Sequence, residues 1–574
     1  MKSRKWLGAL LAGAMILTST VGLVGCGKDS SDNSSSGNEA SEKDKEQLLK
    51  LILVEPETLD PNKCQDSSSG TVLGATQEGL ARVKIENGEE KIVPAGAESW
   101  TKSKDELVWT FKIRDYKWSD GKPVTAQNYV DSFLRLLKKD NAFGYAYLAY
   151  EVKGAKDYNL GKGKPEDVGV KAKDDKTFEV TLEKPTPYFE KKLAFYSFYP
   201  VRLDVIEKGG ENWDTDISKQ VYCGPYKIKE WTRNNSLTFE KNPEYWDANN
   251  VYIEKVEMRD IAEFSTQAQL FEGKDLDVTG GSQEFIEKWT KEAEKGSFAA
   301  IKKDDPTTWY LGFNQKTGGP SGLMKNEKIR KALALSFNRE EYVNTLYGRF
   351  KPAYGYIPYS LHSGDKEYRK EVQEPLKADY DKYKGNKEEL QKLFKEGLKE
   401  LGKDVDDLKK IELSYITTGQ SSGERQKQEW WKQEIEKNLG ITLKVEVLGD
   451  AKLYNQAKKD FKFDIIQSGW GADFDDPISF LDMWDSKSGN NYVAFNNAKY
   501  DEILKKLDGE GDIAKRAELY KELETILVKE EAGIAPIFYK DRRSFIHNYV
   551  KDFQMPLFGT TYEWRWAYIS GRNK

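Results

Sequence analysis

Phe463-Asp-Ile-Ile-Gln-Ser-Gly-Trp-Gly-Ala-Asp-Phe-Asp-Asp-Pro-Ile-Ser-Phe-Leu-Asp482 closes a run of alternating structure that begins at Ile411. Phe463, Ile465 and Ile466 read as a short apolar strand, after which Gly469 and Gly471 free the backbone to turn around Trp470. Upstream, Ile411 to Thr417 has strand character, and Glu424 to Leu439 is a helix with Trp431, Ile435 and Leu439 turned inward. Gly440 ends that helix, and Ile441, Leu443, Val445 and Val447 alternate as the next strand before a short helix leads into Phe463. A β-α-β-α-β order implies a parallel sheet, whose ligands sit beyond the carboxyl ends of the strands. Ser468 to Asp473 occupy such an end. Asp473 offers a carboxylate beside the indole of Trp470, a pair suited to an ammonium group through charge-assisted hydrogen bonds and cation–π attraction. A strand-to-helix turn, with Asp475 or Asp476 capping a helix near Pro477, accounts for the same residues without a ligand.

The same mixture of elements continues towards the N-terminus. Leu107, Trp109, Phe111 and Ile113 alternate with polar neighbours as a half-buried strand. Thr125 is placed to cap a helix with Val130, Phe133, Leu134 and Leu137 on one stripe, and Asn338 with Glu341 makes a capping-box-like start after the amphipathic stretch of Ile329, Leu333 and Phe337. The chain begins with Lys2, Arg4 and Lys5 before an apolar run from Trp6 to Val24, the pattern of an export signal. That run ends at Leu23-Val24-Gly25-Cys26, which resembles the lipobox of bacterial lipoproteins and implies a diacylglycerol on the Cys26 sulfur. The expected segments are a signal peptide over 1–25 and a polar, flexible tether over 26–47.

Composition excludes several classes of function. A net charge of -5 with 32% charged residues, Lys and Glu interspersed, disfavours nucleic acid as a partner. The mean hydropathy of -0.74 describes a globule, and no second apolar run is long enough to span a membrane. His362 and His547, the only two histidines, lie among charged or turn residues and read as solvated surface, which opposes a His-ligated metal centre or a Ser-His-Asp triad. No phosphate loop or Gly-x-Ser-x-Gly elbow is present, and no cofactor is expected. Cys64 and Cys223 remain as a possible pair or as two free, buried thiols, the second being favoured.

Glu57-Thr-Leu-Asp-Pro61, Trp118-Ser-Asp-Gly-Lys-Pro-Val-Thr125, Asp167-Val-Gly-Val170 with Asp175-Lys-Thr-Phe-Glu-Val-Thr-Leu182, Gly224-Pro-Tyr226, Asn242-Pro-Glu-Tyr-Trp-Asp247 and Arg330-Lys-Ala-Leu-Ala334 occur in order, followed by Gly469 to Pro477. From about residue 48 to 570 the chain thus resembles the large solute-binding proteins of ABC importers, the oligopeptide- and dipeptide-binding family. The resemblance implies a two-lobed α/β fold with a hinge, mixed sheets and an extra N-terminal subdomain. Lobe I would comprise 48–70, 198–308 and 543–574, the subdomain 71–197 and lobe II 309–542. It further implies that Asp473 holds the α-ammonium of a peptide, with Ser468, Gly469 and Trp470 on one side of the ligand backbone and the loop at Gln65 and Ser67 on the other. Tyr147, with Tyr145 and Tyr150, is a candidate pocket wall, although ordinary core packing is favoured for at least two of the three. Two departures limit the transfer: Cys223 precedes Gly224, and Gln467 is neutral where some peptide-binding members are basic and receive the ligand carboxylate. The implied protein is a monomeric, lipid-anchored receptor on the outer face of the cell membrane, with a peptide ligand, an ABC permease as partner and no enzymatic activity. An oligosaccharide or metal complex on the same fold, or a surface hydrolase using Asp473, Asp475 and Asp476, are the alternatives. The hydrolase is disfavoured because adjacent acids on one turn do not flank a bond from two sides.

Overall fold

Three sheets organise the chain in the computed structural model, which describes residues 42–573 apart from Ser282, Asp404 and Asp450. The signal segment, Cys26 and the tether up to residue 41 lie outside the described residues. The first sheet orders Leu48–Ile52, Lys255–Arg259, Ser236–Lys241 and Tyr226–Thr232, with one parallel pair followed by antiparallel ones. The second is antiparallel and runs Ala97–Lys102, Val108–Ile113, Thr177–Thr181, Val170–Asp174. In Val108–Ile113 the side chains of Trp109, Phe111 and Ile113 are buried while Lys112 is exposed, the alternation a half-buried strand requires. Helix Ala126–Leu137 starts at Thr125, whose N–H donates to Asn128 Oδ1 at 3.1 Å, and lays Tyr129 and Phe133 against Phe178 of this sheet.

The third sheet has seven strands and carries the region of interest. Its main members are β1 (Ala299–Phe313), β2 (Glu412–Thr418), β3 (Thr442–Leu448), β4 (Ile465–Gly471) and β5 (Ile534–Ile546). Helix α1 (Ser422–Leu439) joins β2 to β3, and α2 (Ala451–Lys459) joins β3 to β4. Ser421 caps α1 by accepting from Glu424 N at 3.2 Å, and Gly440 ends it with φ 72°. Trp431, Ile435 and Leu439 are buried as the periodicity requires. β4, β2 and β3 are parallel neighbours, yet β1 and β5 enter antiparallel, so the sheet is mixed.

β4 corrects the turn expected at Gly469 and Gly471. It stays extended to Gly471 because every residue from Ile465 onward is matched by β1, from Phe313↔Ile465 to Thr307↔Gly471. Gly469 serves close approach instead of a turn: it lies opposite Trp309, and an added Cβ would come within 2.9 Å of that indole. β1 and β5 pair from Ala299↔Ile546 to Gly312↔Ile534, with a break between Asp304 and Thr308 around Pro306, which has no N–H to give to the ladder.

A second correction concerns His547, expected on the surface. The ring is buried between Phe271 and Tyr549, at 4.3 and 5.0 Å between centroids, and its Nε2 lies 2.8 Å from Phe271 O. That burial pulls its pKa below the usual value. Cys64 and Cys223 are both buried and unbonded to each other. Burial pushes both thiols far up, which makes them inert fillers of the interior.

Candidate functional site

Beyond Gln467 the main chain of β4 is satisfied on one side only. Ala472 N donates to Pro306 O at 2.8 Å and Gln467 O, on the opposite side, accepts from Tyr454 Oη at 2.9 Å. Antiparallel alternation therefore turns the N–H and C=O of Gly469 and Gly471 away from β1. On that side β2 has already left, its last pair being Ile416↔Ile466. The result is a short open strand edge.

Just past this edge the chain is folded back on itself. Trp470 Nε1 donates to Ser479 O at 2.7 Å, and Asp473 N donates to Ser479 Oγ at 3.0 Å. Asp476 is the capping acid of the following turn: it accepts from Ile478 N at 3.0 Å and from Tyr520 Oη at 2.7 Å. The structural alternative thus holds for Asp476. Asp475 is committed elsewhere, accepting from His362 N at 2.8 Å and from Lys191 Nζ at 3.0 Å.

Asp473 is left without a cation. It accepts from Tyr147 Oη at 2.5 Å, and among the described residues it forms no ion pair. Burial raises its pKa, and the hydroxyls of Tyr147 and Tyr145 pull it back. Asp482 stands close enough to feel Asp473 and is pushed by burial up to about 7. The base of the cluster, Lys192, is spent on Glu151 at 2.6 Å and lies 4.4 Å from the Phe474 ring centre. Three acids therefore face one buried lysine, an arrangement that favours an incoming positive charge.

The other expected residues divide. Gln65 is exposed and its amide lies over Gly144, where a Cβ would come within 1.6 Å of Nε2. Gly144 opens the turn Gly144–Ala149 that presents Tyr145 and Tyr147, so Gln65, Tyr147 and Asp473 belong to one neighbourhood. Ser67, expected in a loop, is the first residue of helix Ser67–Thr76, because Asp66 Oδ1 accepts from Ser69 N at 2.7 Å. Tyr150 turns aside to Asn159 at 2.7 Å. Sequence reading missed Lys191, Lys192, Asp482 and the Asp475–His362 contact. These are charged residues far apart in a chain rich in them, and no local pattern marks them.

The bacterial extracellular solute-binding proteins, family 5 Middle, match residues 91–492. The chain belongs to this family. The oligopeptide-binding protein OppA of Bacillus subtilis is 34% identical over 539 residues, 92% of this chain and 93% of that one. The structure of Listeria monocytogenes OppA bound to peptide is similar with TM-score 0.76 and 31% identity, covering 92% of this chain and all 100% of that one. The substrate-binding domain of an oligopeptide ABC transporter from Bacillus anthracis gives TM-score 0.77 at 30% identity, with 92% and 100% covered. The mixed α/β sheets are those of a chain whose fold matches solved peptide-binding relatives. Within this family 5 chain no described helix is long and apolar enough to cross a membrane.

Proposed function

We propose that this protein is an extracytoplasmic receptor, anchored through lipid on Cys26, that binds oligopeptides in extended form between two lobes and delivers them to an ABC permease without chemical change. The observation that carries the reading is Asp473: a half-buried carboxylate held by Tyr147, with no cation paired to it among the described residues, placed two residues beyond an open strand edge. A peptide supplies both missing partners. Its α-ammonium neutralises Asp473, and its backbone adds as a strand along Gly469 and Gly471, so that side chains of many kinds are tolerated. Gln65, with the adjoining Ser67, closes the site from the other side. In this reading 48–70, 198–308 and 543–574 form lobe I, 71–197 the subdomain and 309–542 lobe II, with β1 and β5 as the crossing strands and hinge motion bringing the lobes together. The oligopeptide-binding relatives, one of them bound to peptide, support the ligand class.

Calorimetry with free and N-acetylated forms of one peptide tests this. Acetylation removes the ammonium and is expected to lower affinity by about 30- to 1000-fold, the equivalent of roughly 2–4 kcal/mol for a close charge pair. Asp473→Ala should reproduce the loss, and the two defects together should cost far less than their sum. Equal affinity of the two peptides for the unaltered protein would refute the assignment.

A further inference from the structure

The open edge of β4 has a second end. Gln467 offers no charge there: its side-chain Oε1 accepts from Trp431 Nε1 at 3.0 Å and from the hydroxyls of Tyr342 and Tyr415, both at 3.3 Å. Its main-chain oxygen is taken by Tyr454 of α2, so an added strand cannot continue past this point. One helical turn along α2, on the same face as Tyr454, stands Lys458. Its ammonium lies 3.7 Å from the ring centre of Tyr492, and the Tyr492 hydroxyl is 3.1 Å from Ser468 Oγ in β4. Lys458 is half-buried, and among the described residues it has no acidic partner. Burial alone lowers its pKa, the mark of an ammonium removed from water without a counter-charge.

We infer that Lys458 receives the C-terminal carboxylate of the ligand, and that the preferred ligands are short peptides ending at α2. The inference rests on the peptide reading above. With its ammonium at Asp473, an extended ligand runs antiparallel to β4 and reaches α2 where Tyr454 stops the edge. The distance from Gln467 to Gly471 is about 13 Å at roughly 3.3 Å per residue, with Asp473 two residues further, which suits about four to six peptide residues. A longer peptide must turn out of the edge and gives up the contact.

The test titrates the purified full chain with free-acid, C-amidated and N-acetylated peptides of about three to eight residues. Near five residues, amidation should weaken binding about tenfold, as loss of one partly solvated charged hydrogen bond does. Lys458→Gln should weaken the free acid equally and leave the amide unaffected, while Lys458→Arg retains most of the affinity. If amidation is harmless at every length while acetylation still weakens binding, the Lys458 assignment is overturned and the ammonium reading stands. The assignment is also overturned if the loss follows an internal Asp to Asn change in the peptide and not the terminus. If no peptide binds at all, the reading beneath it fails as well.

Discussion

Glu524 and Asp473 are both carboxylates withdrawn from water, and their surroundings are opposite. Glu524 Oε1 accepts from Tyr356 N, Ile357 N and Arg369 Nη2 at 2.6, 3.0 and 2.5 Å, and the Arg369 and Glu524 side chains are each 1% exposed. Asp473 has hydroxyl partners and a main-chain tie, but its nearest base is already paired with Glu151. A carboxylate that holds the fold together comes with its cation built in. On the proposed reading, one that waits for a ligand is left a charge short.

The most severe test of this contrast is removal of each acid in turn. Glu524→Ala strands the Arg369 guanidinium in the interior and should destabilise the protein by about 3–5 kcal/mol, read as a lowered midpoint in urea unfolding. Asp473→Asn keeps the shape and removes an uncompensated charge, so its unfolding midpoint should hold or rise while peptide affinity collapses. If Asp473→Asn unfolds as easily as Glu524→Ala, Asp473 is structural and the contrast fails.

A gentler test uses Asp482. Its folded pKa of about 7 lies above the ordinary carboxylate value of 3.8, so the folded state binds more protons than the unfolded one across that interval. Stability therefore falls as pH rises from about 4 to 7 through this group. Asp482→Asn should remove that slope and gain up to about 4 kcal/mol at neutral pH, less where solvent reaches the half-buried carboxylate. Melting curves for the two proteins should converge near pH 4; parallel curves would mean Asp482 is not the group that titrates.

Much of the fold was legible because periodicity and caps are local. Thr125, Asn338 and Gly440 sit where side-chain hydrogen bonds and a left-handed residue begin or end helices, and the apolar stripes of α1 and Ala126–Leu137 follow the 3.6-residue turn. The Gly469 turn was misread because two glycines around a tryptophan look like a loop until the facing strand is known. Trp309, 160 positions earlier, supplies the reason for Gly469. His547 was misread for a related reason: charged neighbours in sequence say little when Phe271, from a distant segment, provides the stacking partner. The sequence singled out Asp473 as an acid two residues past Gly471, while the indole N–H of Trp470 is spent on Ser479 O. The acid's shortage of counter-charge was not legible, since that depends on how Glu151, Lys192 and Asp482 are brought together.

The smallest expected effect lies at the neighbouring acid, Asp475, where the contrast becomes one of motion. Lys191, two residues from Phe189 in the segment expected to be the subdomain, donates to Asp475 Oδ2 and to its main-chain oxygen at 3.0 and 2.7 Å, and Tyr188 stacks on Phe474 at 5.2 Å. His362 Nδ1 lies 3.1 Å from the same carboxylate. These contacts grip the two residues that follow Asp473, so in the proposed peptide reading they would hold the site shut. The Asp475 bond raises the His362 pKa above its ordinary 6.5, with burial opposing. A raised histidine contributes fully below its ordinary value, and the contribution is lost as pH rises through the raised one. Peptide release should therefore quicken as pH climbs past about 6.5, by only a few fold because these side chains are 22–39% exposed. His362→Gln should release peptide at the faster rate at every pH. Stopped-flow dissociation across that range decides it: an unchanged pH profile in His362→Gln would mean that the grip on Asp475 is Lys191's alone.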